Sequence, residues 1–370
     1  MGESLTSLTP KKDGFRMPAE FGAHQKTYMI WPTRTDTWRE NAEPAQREFA
    51  QVANAIAEFE PVTMLTPESE YRRARNQLNA TVNVQSLKTN DAWVRDIGPT
   101  FVSNDNQLRG INWKFNAWGG YSEGLYFPWD LDDQAAIEIC EMEKARIYEA
   151  PLIMEGGALH VDGEGTAIVT ESCLLNPNRN PHLTKEKIEN YLCEFLAVEK
   201  VLWLPFGLHQ DETNGHVDNC CCFIRPQEVM LAWTTDKTSS QYELSKANYE
   251  YLSTATDAKG RHLTIHFVEV PVDLRLTKEE AETINDFGYA KKRVAGDYLS
   301  ASYINFYFCN GGIILPSFGH SLDQIAYAQF RQLFPERKII QLPSREILLG
   351  GGNIHCITQQ VPYIRKDVRV

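Results

Sequence analysis

Helical and strand-like patterns of apolar residues alternate along the whole of this 370-residue chain, which restricts it to the α/β class, where helices cover the faces of sheets. From Pro44 to Glu60, Phe49, Val52, Ile56 and Phe59 recur at helical spacing; Pro44 suits a first turn, and Pro61 ends the run ahead of a predicted strand over 62–65. The same alternation predicts helices over 132–144, 184–198 and 321–334, each followed by a strand, over 145–148, 200–204 and 338–342. Ser321 and Gln324 form a predicted capping box for the last helix. Further strands are predicted over 166–173, 217–224, 228–233, 303–308 and 312–315. Glycine pairs close several of them: Gly119-Gly120, Gly156-Gly157, Gly311-Gly312 and Gly350-Gly351. Their uneven spacing gives no clean repeat but permits a repeated module with variable insertions. With no Ser-, Gly- or Pro-rich linker, one domain over 1–370 is expected, beginning with a short polar segment of about residues 1–15.

Composition removes several function classes. The net charge is −12, without the basic stripe that nucleic-acid binding needs, so the expected partner is a small cation rather than a polyanion. No apolar run is long enough for a bilayer and the first 18 residues are too polar for a signal peptide, so no membrane partner and a cytosolic location are expected. Met1-Gly2 with Thr6 fits the loose myristoylation pattern, but no polybasic segment accompanies it and the match is read as chance, like the Asn79-Ala80-Thr81 sequon. The cysteines show no regular spacing and do not form a disulfide framework. Cys220, Cys221 and Cys222 are read as strand packing, because neighbours on a strand point to opposite faces and cannot converge on one metal ion. Soluble enzymes are commonly homo-oligomers, and that general expectation applies here.

Four segments concentrate reactive groups. Gly350 to Cys356, GGGNIHC, follows an apolar run over 346–349 read as a strand, and places Cys356 behind a flexible backbone that can approach a ligand closely. Asp96 lies in Trp93-Val94-Arg95-Asp96, and Glu155 sits between an apolar run and Gly156-Gly157. His216 and Asp218 fall two apart on a predicted strand, so they are expected on one face. Alone, each has a plain structural reading: a buried thiol, a surface ion pair, a turn acid, a satisfied histidine. Together they supply a thiol, an imidazole and three carboxylates. Carboxylates would oppose the negative charge that develops at a peptide carbonyl during acyl transfer. They suit a guanidinium, whose planar N–H donors pair with carboxylates and whose central carbon is the electrophile.

WVRDIGPTF (Trp93 to Phe101), FNAWGG (Phe115 to Gly120), MEGGALHVDGEGT (Met154 to Thr166), ETNGHVDN (Glu212 to Asn219) and GGGNIHC resemble, in order and over nearly the whole chain, the motifs of the agmatine deiminase family of guanidino-group modifying enzymes. The resemblance implies a five-bladed α/β propeller of pseudo-repeated ββαβ modules with the site at its centre. It also implies hydrolysis of agmatine to N-carbamoylputrescine and ammonia, with no metal and no organic cofactor. Carried over by position, Cys356 is the nucleophile, His216 the general acid and base, Glu155 the acid that orients His216, and Asp96 and Asp218 the clasp on the guanidinium. Trp93 and Trp118 are candidate walls for the aliphatic chain, with core packing as the alternative. Glu212 is a candidate for the terminal amine, with a solvated loop acid as the alternative.

Three other readings stay open at this point. An arginine or peptidylarginine deiminase would use the same five residues with an added cation for a carboxylate, for which Arg95 and Arg109 are candidates. A non-catalytic binding protein could share the propeller. A Cys/His peptidase would account for Cys356 and His216 but leave Asp96 and Asp218 without a task.

Overall fold

The computed structural model describes residues 8–104 and 106–365. Among them the strands form five small mixed sheets, and one local topology recurs in each. An antiparallel strand pair is followed by a helix and then by a strand parallel to the second of the pair. Thr100–Ser103, Leu108–Lys114, helix Asp132–Met142 and Arg146–Ile153 make the first such module. His160–Val161, Thr166–Thr170, helix Lys185–Leu196 and Lys200–Leu204 make the second. The third comprises Cys221–Arg225, Glu228–Trp233, helix Ser240–Thr254 and Thr264–Glu269. The fourth comprises Tyr307–Cys309, Gly312–Ser317, helix Asp323–Leu333 and Lys338–Pro343. The fifth joins the two ends of the fold: Gln359–Pro362 pairs antiparallel with His24–Ile30, and helix Glu43–Ile56 leads to the parallel strand Val62–Thr66, with Asn83–Ser86 added at its edge. The predicted repeated module is therefore present, in a sequence too divergent to show it.

Local chemistry explains most elements. In helix Glu43–Ile56, Pro44 occupies the first turn and Phe49, Val52, Ala53 and Ile56 are buried, as the periodicity predicts. Thr184 caps helix Lys185–Leu196 by accepting the N–H of Lys187. The predicted capping box at Ser321 and Gln324 is absent. That helix begins at Asp323, whose carboxylate accepts the N–H groups of Phe318 and His320 and ties down the incoming loop instead. A true capping box occurs at Thr277 and Glu280.

Four other sequence expectations are corrected. Residues 346–349 are helical, within Arg345–Leu349, and not a strand. Val217–Cys220 is one helical turn before the strand Cys221–Arg225, so His216 and Asp218 are not strand neighbours. The strand expected over 166–173 ends at Thr170, where helix Glu171–Leu174 begins. The strand expected over 303–308 is confined to Tyr307–Cys309, because the segment ahead of it is held by Ser302 and Asn305, whose side chains both donate to Asn219 in the turn Val217–Cys220.

The segment 8–15 packs against the rest of the fold. Phe15 is buried, Lys11 N–H donates to Glu194 O, and the Arg109 guanidinium lies over the Phe15 ring. The myristoylation pattern at residues 1–6 lies outside the described residues. Cys221 and Cys222 are buried on their strand and Cys220 is buried at the end of the preceding turn. No helix among the described residues is long and apolar enough to cross a membrane.

Candidate active site

The segment that leads into the first strand of each module carries one or more polar side chains toward a common point. Asp96 precedes Thr100–Ser103, Glu155 precedes His160–Val161, His216 and Asp218 precede Cys221–Arg225, Asn305 precedes Tyr307–Cys309, and Cys356 precedes Gln359–Pro362. Each lead segment bonds to the next. Gly157 N–H donates to Asp96 Oδ1 at 2.9 Å, His216 Nε2 lies 3.3 Å from Glu155 Oε2, and Asn305 Nδ2 donates to Asn219 Oδ1 at 3.0 Å. Asn305 Nδ2 also donates to Cys356 Sγ at 3.3 Å, and Arg95 N–H closes the circuit onto Cys356 O at 3.2 Å.

The structure thus brings together all five residues expected to do chemistry. Cys356 Sγ lies 3.7 Å from Asp218 Oδ2, and His216 Nδ1 lies 3.9 Å from Asp96 Oδ2. Asp218 Oδ1 is buried and has no hydrogen-bond partner among the described residues. A buried carboxylate oxygen left unpaired costs free energy, so it marks a place built for a donor from a ligand.

Glycine makes this convergence sterically feasible. A Cβ on Gly157 would fall 2.6 Å from His216 Nδ1 and 2.9 Å from both Asp218 Oδ2 and Asp96 Oδ1. On Gly352 it would fall 2.5 Å from the Trp93 ring and 3.1 Å from Cys356 Sγ. The glycine run before Cys356 therefore serves close approach, as expected, but between the nucleophile and an indole rather than at a strand end.

Burial and neighbours set the charges. Burial raises the Asp96 carboxyl to about 6, with the His216 cation opposing and the carboxylates of Asp218 and Glu155 adding to the rise. Burial disfavours the His216 cation, but Asp96, Cys173 and Glu155 outweigh it, and its pKa lies well above the ordinary imidazole value. Burial likewise opposes ionisation of Glu155, yet the Arg179 guanidinium and His216 hold it below the usual carboxylate range. Burial, then the Asp218 and Asp96 charges, push the Cys356 thiol far up, against donors at Asn353 and Asn305. These shifts favour a neutral thiol at Cys356 and an imidazolium at His216.

Trp93 and Trp118 both line a recess together with Cys356 and Asp96. Trp93 Nε1–H donates to Asp91 Oδ2 at 3.1 Å, and Trp38 packs on its ring at 5.0 Å between centroids. Trp118 Nε1–H donates to Asp96 Oδ2 at 2.9 Å, so this indole is both a wall and a support for the carboxylate. It is held at a left-handed φ of 62°, strain of the kind that accumulates at functional sites. Glu212 is partly buried and sits beside two cations: Arg293 Nη2 lies 2.7 Å and Lys291 Nζ 3.3 Å from its carboxylate. Arg95 pairs behind the site with Glu20 at 3.0 Å, and Arg109 pairs with Asp13, so neither faces the recess.

Two positions at the centre were not singled out from the sequence. Arg179 is fully buried; its Nε donates to Glu155 Oε1 at 2.7 Å, Nη1 to Trp118 O at 2.6 Å, and Nη2 to Thr213 O at 3.1 Å, fixing three site segments at once. Asn305 accepts the His355 N–H at Oδ1, 3.0 Å away, while facing Cys356 Sγ with Nδ2. The only sequence signal for Asn305 is an amide inside the apolar run Tyr303 to Phe308, and Arg179 has only its place between two asparagines.

Residues 16–362 match the family of Porphyromonas-type peptidyl-arginine deiminases. The chain is 51% identical over 366 residues to the agmatine deiminase of Pseudomonas aeruginosa strain LESB58, covering 98% of this chain and all of that protein. It is 49% identical over 363 residues to the agmatine deiminase of Ectopseudomonas mendocina strain ymp, covering 97% and 99%. The fold matches the solved agmatine deiminase of Enterococcus faecalis with a TM-score of 0.94 at 46% identity, over 98% of this chain and 99% of that one.

Proposed function

The chain belongs to the Porphyromonas-type peptidyl-arginine deiminase family, and from that membership we propose an agmatine deiminase, a hydrolase that converts agmatine and water to N-carbamoylputrescine and ammonia. Near half identity to agmatine deiminases over the full length supports the substrate. One observation in the site carries the reading: a buried thiol against the Asp218 carboxylate, which keeps one buried oxygen unpaired, with the charge of Asp96 acting on the same sulfur. A planar cation fits that arrangement and an acyl group does not.

In the proposed cycle the guanidinium enters between Asp96 and Asp218, and Asp218 Oδ1 gains its missing donor. Neutralising both carboxylates removes the charges that hold the Cys356 thiol protonated; its proton passes to solvent, from which the thiolate freed at the end of the cycle regains one, and Asn305 stabilises the thiolate that forms. The thiolate attacks the guanidinium carbon. His216, already an imidazolium, donates its proton to the departing amino group, which leaves as ammonia. A positively charged thiouronium remains on Cys356. Neutral His216, oriented by Glu155, then takes a proton from water as the oxygen adds to the same carbon. Collapse expels the thiolate and leaves the ureido product, its extra proton passing to solvent. Trp93 and Trp118 flank the chain of the substrate.

The five ββαβ modules and the circuit of contacts between their lead segments support a five-bladed propeller around the site, with residues 1–370 as one catalytic unit. One observation favours a second reading. Lys291 and Arg293 line the recess and could meet the carboxylate of free arginine, although Glu212 already engages both. Incubation with agmatine, free arginine and a peptidyl-arginine, followed by assay of ammonia and ureido product, separates these readings. Turnover of agmatine in strong preference is expected; preference for either arginine form would overturn the assignment.

A further inference from the structure

Directly behind the site lies a second layer of charge centred on Glu20. Its Oε1 takes Arg95 Nη1 at 3.0 Å, and its Oε2 lies 2.8 Å from His355 Nε2 and 3.3 Å from His160 Nε2. The other nitrogen of His355, Nδ1, lies 2.8 Å from Asp218 Oδ2. The carboxylates of both Glu20 and Asp218 are almost wholly buried. Beside them is a narrow gap lined by Glu20, His160, Asp218, Cys222 and His355.

We infer that His355 is a positioning residue of the deiminase site, held as an imidazolium that bridges Glu20 to Asp218 and turns Asp218 Oδ1 toward the substrate. A carboxylate oxygen only accepts, so a neutral imidazole would aim one lone pair at one of these two oxygens. With both nitrogens protonated, each contact is a charge-assisted hydrogen bond. His160 cannot play the same part, because its Nδ1 accepts the backbone N–H of Phe223 at 3.2 Å and leaves only Nε2 to donate to Glu20. Burial and the nearby Arg95 charge oppose the His355 cation, and Glu20 and Asp218 outweigh them.

The two adjacent pairs in the sequence divide their tasks alike. Asp96 and Cys356 face the recess, while Arg95 and His355 face Glu20. His355 also joins the layers mechanically: its carbonyl accepts Arg95 Nε at 3.3 Å, and its N–H donates to Asn305 Oδ1, whose amide nitrogen faces the Cys356 thiol. Without the cation, Asp218 keeps an uncompensated charge 3.7 Å from Cys356 Sγ and loses the donor that fixes its plane.

The deiminase reading enters only through the substrate of Asp218, so the test includes readouts that need no turnover. In His355→Asn, whose amide can still reach Asp218 but carries no charge, alkylation of Cys356 by iodoacetamide at pH 8, followed by peptide mass spectrometry, should slow about tenfold, the effect of losing about one pKa unit of nearby opposite charge. Its KM for agmatine should rise by a similar factor while circular dichroism stays native. Glu20→Gln should move both quantities the same way and carries the test if His355→Asn does not fold. In wild-type protein, ¹⁵N-histidine NMR should show His355 doubly protonated at pH 7.5. A neutral His355 there, or alkylation and KM unchanged in either folded variant, would overturn the inference. Absence of agmatine turnover in wild type would instead count against the substrate assignment and leave the alkylation and NMR results readable.

Discussion

Asn305 Nδ2 points at Cys356 Sγ from 3.3 Å while its Oδ1 accepts the N–H of His355 from 3.0 Å, so one side chain supports the nucleophile and the loop that bears it. A hydrogen bond to a charged group contributes about 1.5–3 kcal/mol. Asn305→Ala should therefore lower kcat/KM for agmatine by about 10- to 100-fold, and slow alkylation of Cys356 in parallel. Steady-state kinetics with an alkylation time course checks this; loss of activity at an unchanged alkylation rate would contradict support of the thiolate.

Gly157 should be the least tolerant small residue in the site. Its added Cβ meets His216, Asp96 and Asp218 at once, all of them buried. A displacement of about 1 Å in a catalytic group costs on the order of 100-fold in rate, so Gly157→Ala should lose at least that much kcat/KM. Overpacking should cost about 1–3 kcal/mol in stability as well, measurable by urea unfolding.

Glu155→Gln separates orientation from charge. Removing one partner of the buried Glu155–Arg179 pair should destabilise the protein by about 3–5 kcal/mol. It also removes an anion that favours the His216 cation. Because the protonated form is the acid, activity is lost as pH rises through the elevated His216 pKa, and the alkaline limb of the kcat profile should move to lower pH in this variant. The sign for stability is the same. The contribution of His216 is full below its unfolded value of about 6.5 and fades as pH rises through the folded value, so the stability deficit of Glu155→Gln should shrink at high pH. A pH series of kcat and of unfolding midpoints tests both.

The acid limb belongs to Asp96. It must be ionised to clasp a guanidinium, and burial raises its carboxyl to about 6. Accordingly kcat/KM should fall as pH drops through about 6, with the decline in substrate affinity rather than in Cys356 alkylation. A profile flat down to pH 4 would contradict the clasp.

These predictions rest on residues of unequal legibility. Cys356, Glu155 and Asp96 were legible because glycines stand beside them in the chain, and His216 and Asp218 because they crowd one polar junction. Their local structure is not legible where a single helical turn, as at Val217–Cys220, is too short to show a 3.6-residue period. The helix at Arg345–Leu349 escapes the pattern for the same reason. Asn305, Arg179 and the Glu20 layer carry no motif, since their meaning lies in contacts between modules far apart in sequence. Alternation gave the α/β class, whereas the fivefold recurrence of one topology emerged only from strand pairing.

The central claim is that Cys356 forms a covalent bond to the guanidinium carbon of agmatine. Mass spectrometry of the protein, acid-quenched during turnover of agmatine and digested, tests it most directly, with Cys356→Ser processed in parallel. The account predicts a wild-type adduct on the Cys356 peptide with the mass of agmatine less ammonia, and neither adduct nor ammonia release from Cys356→Ser. Ammonia release from Cys356→Ser at near the wild-type rate, or an adduct on another residue, would contradict it.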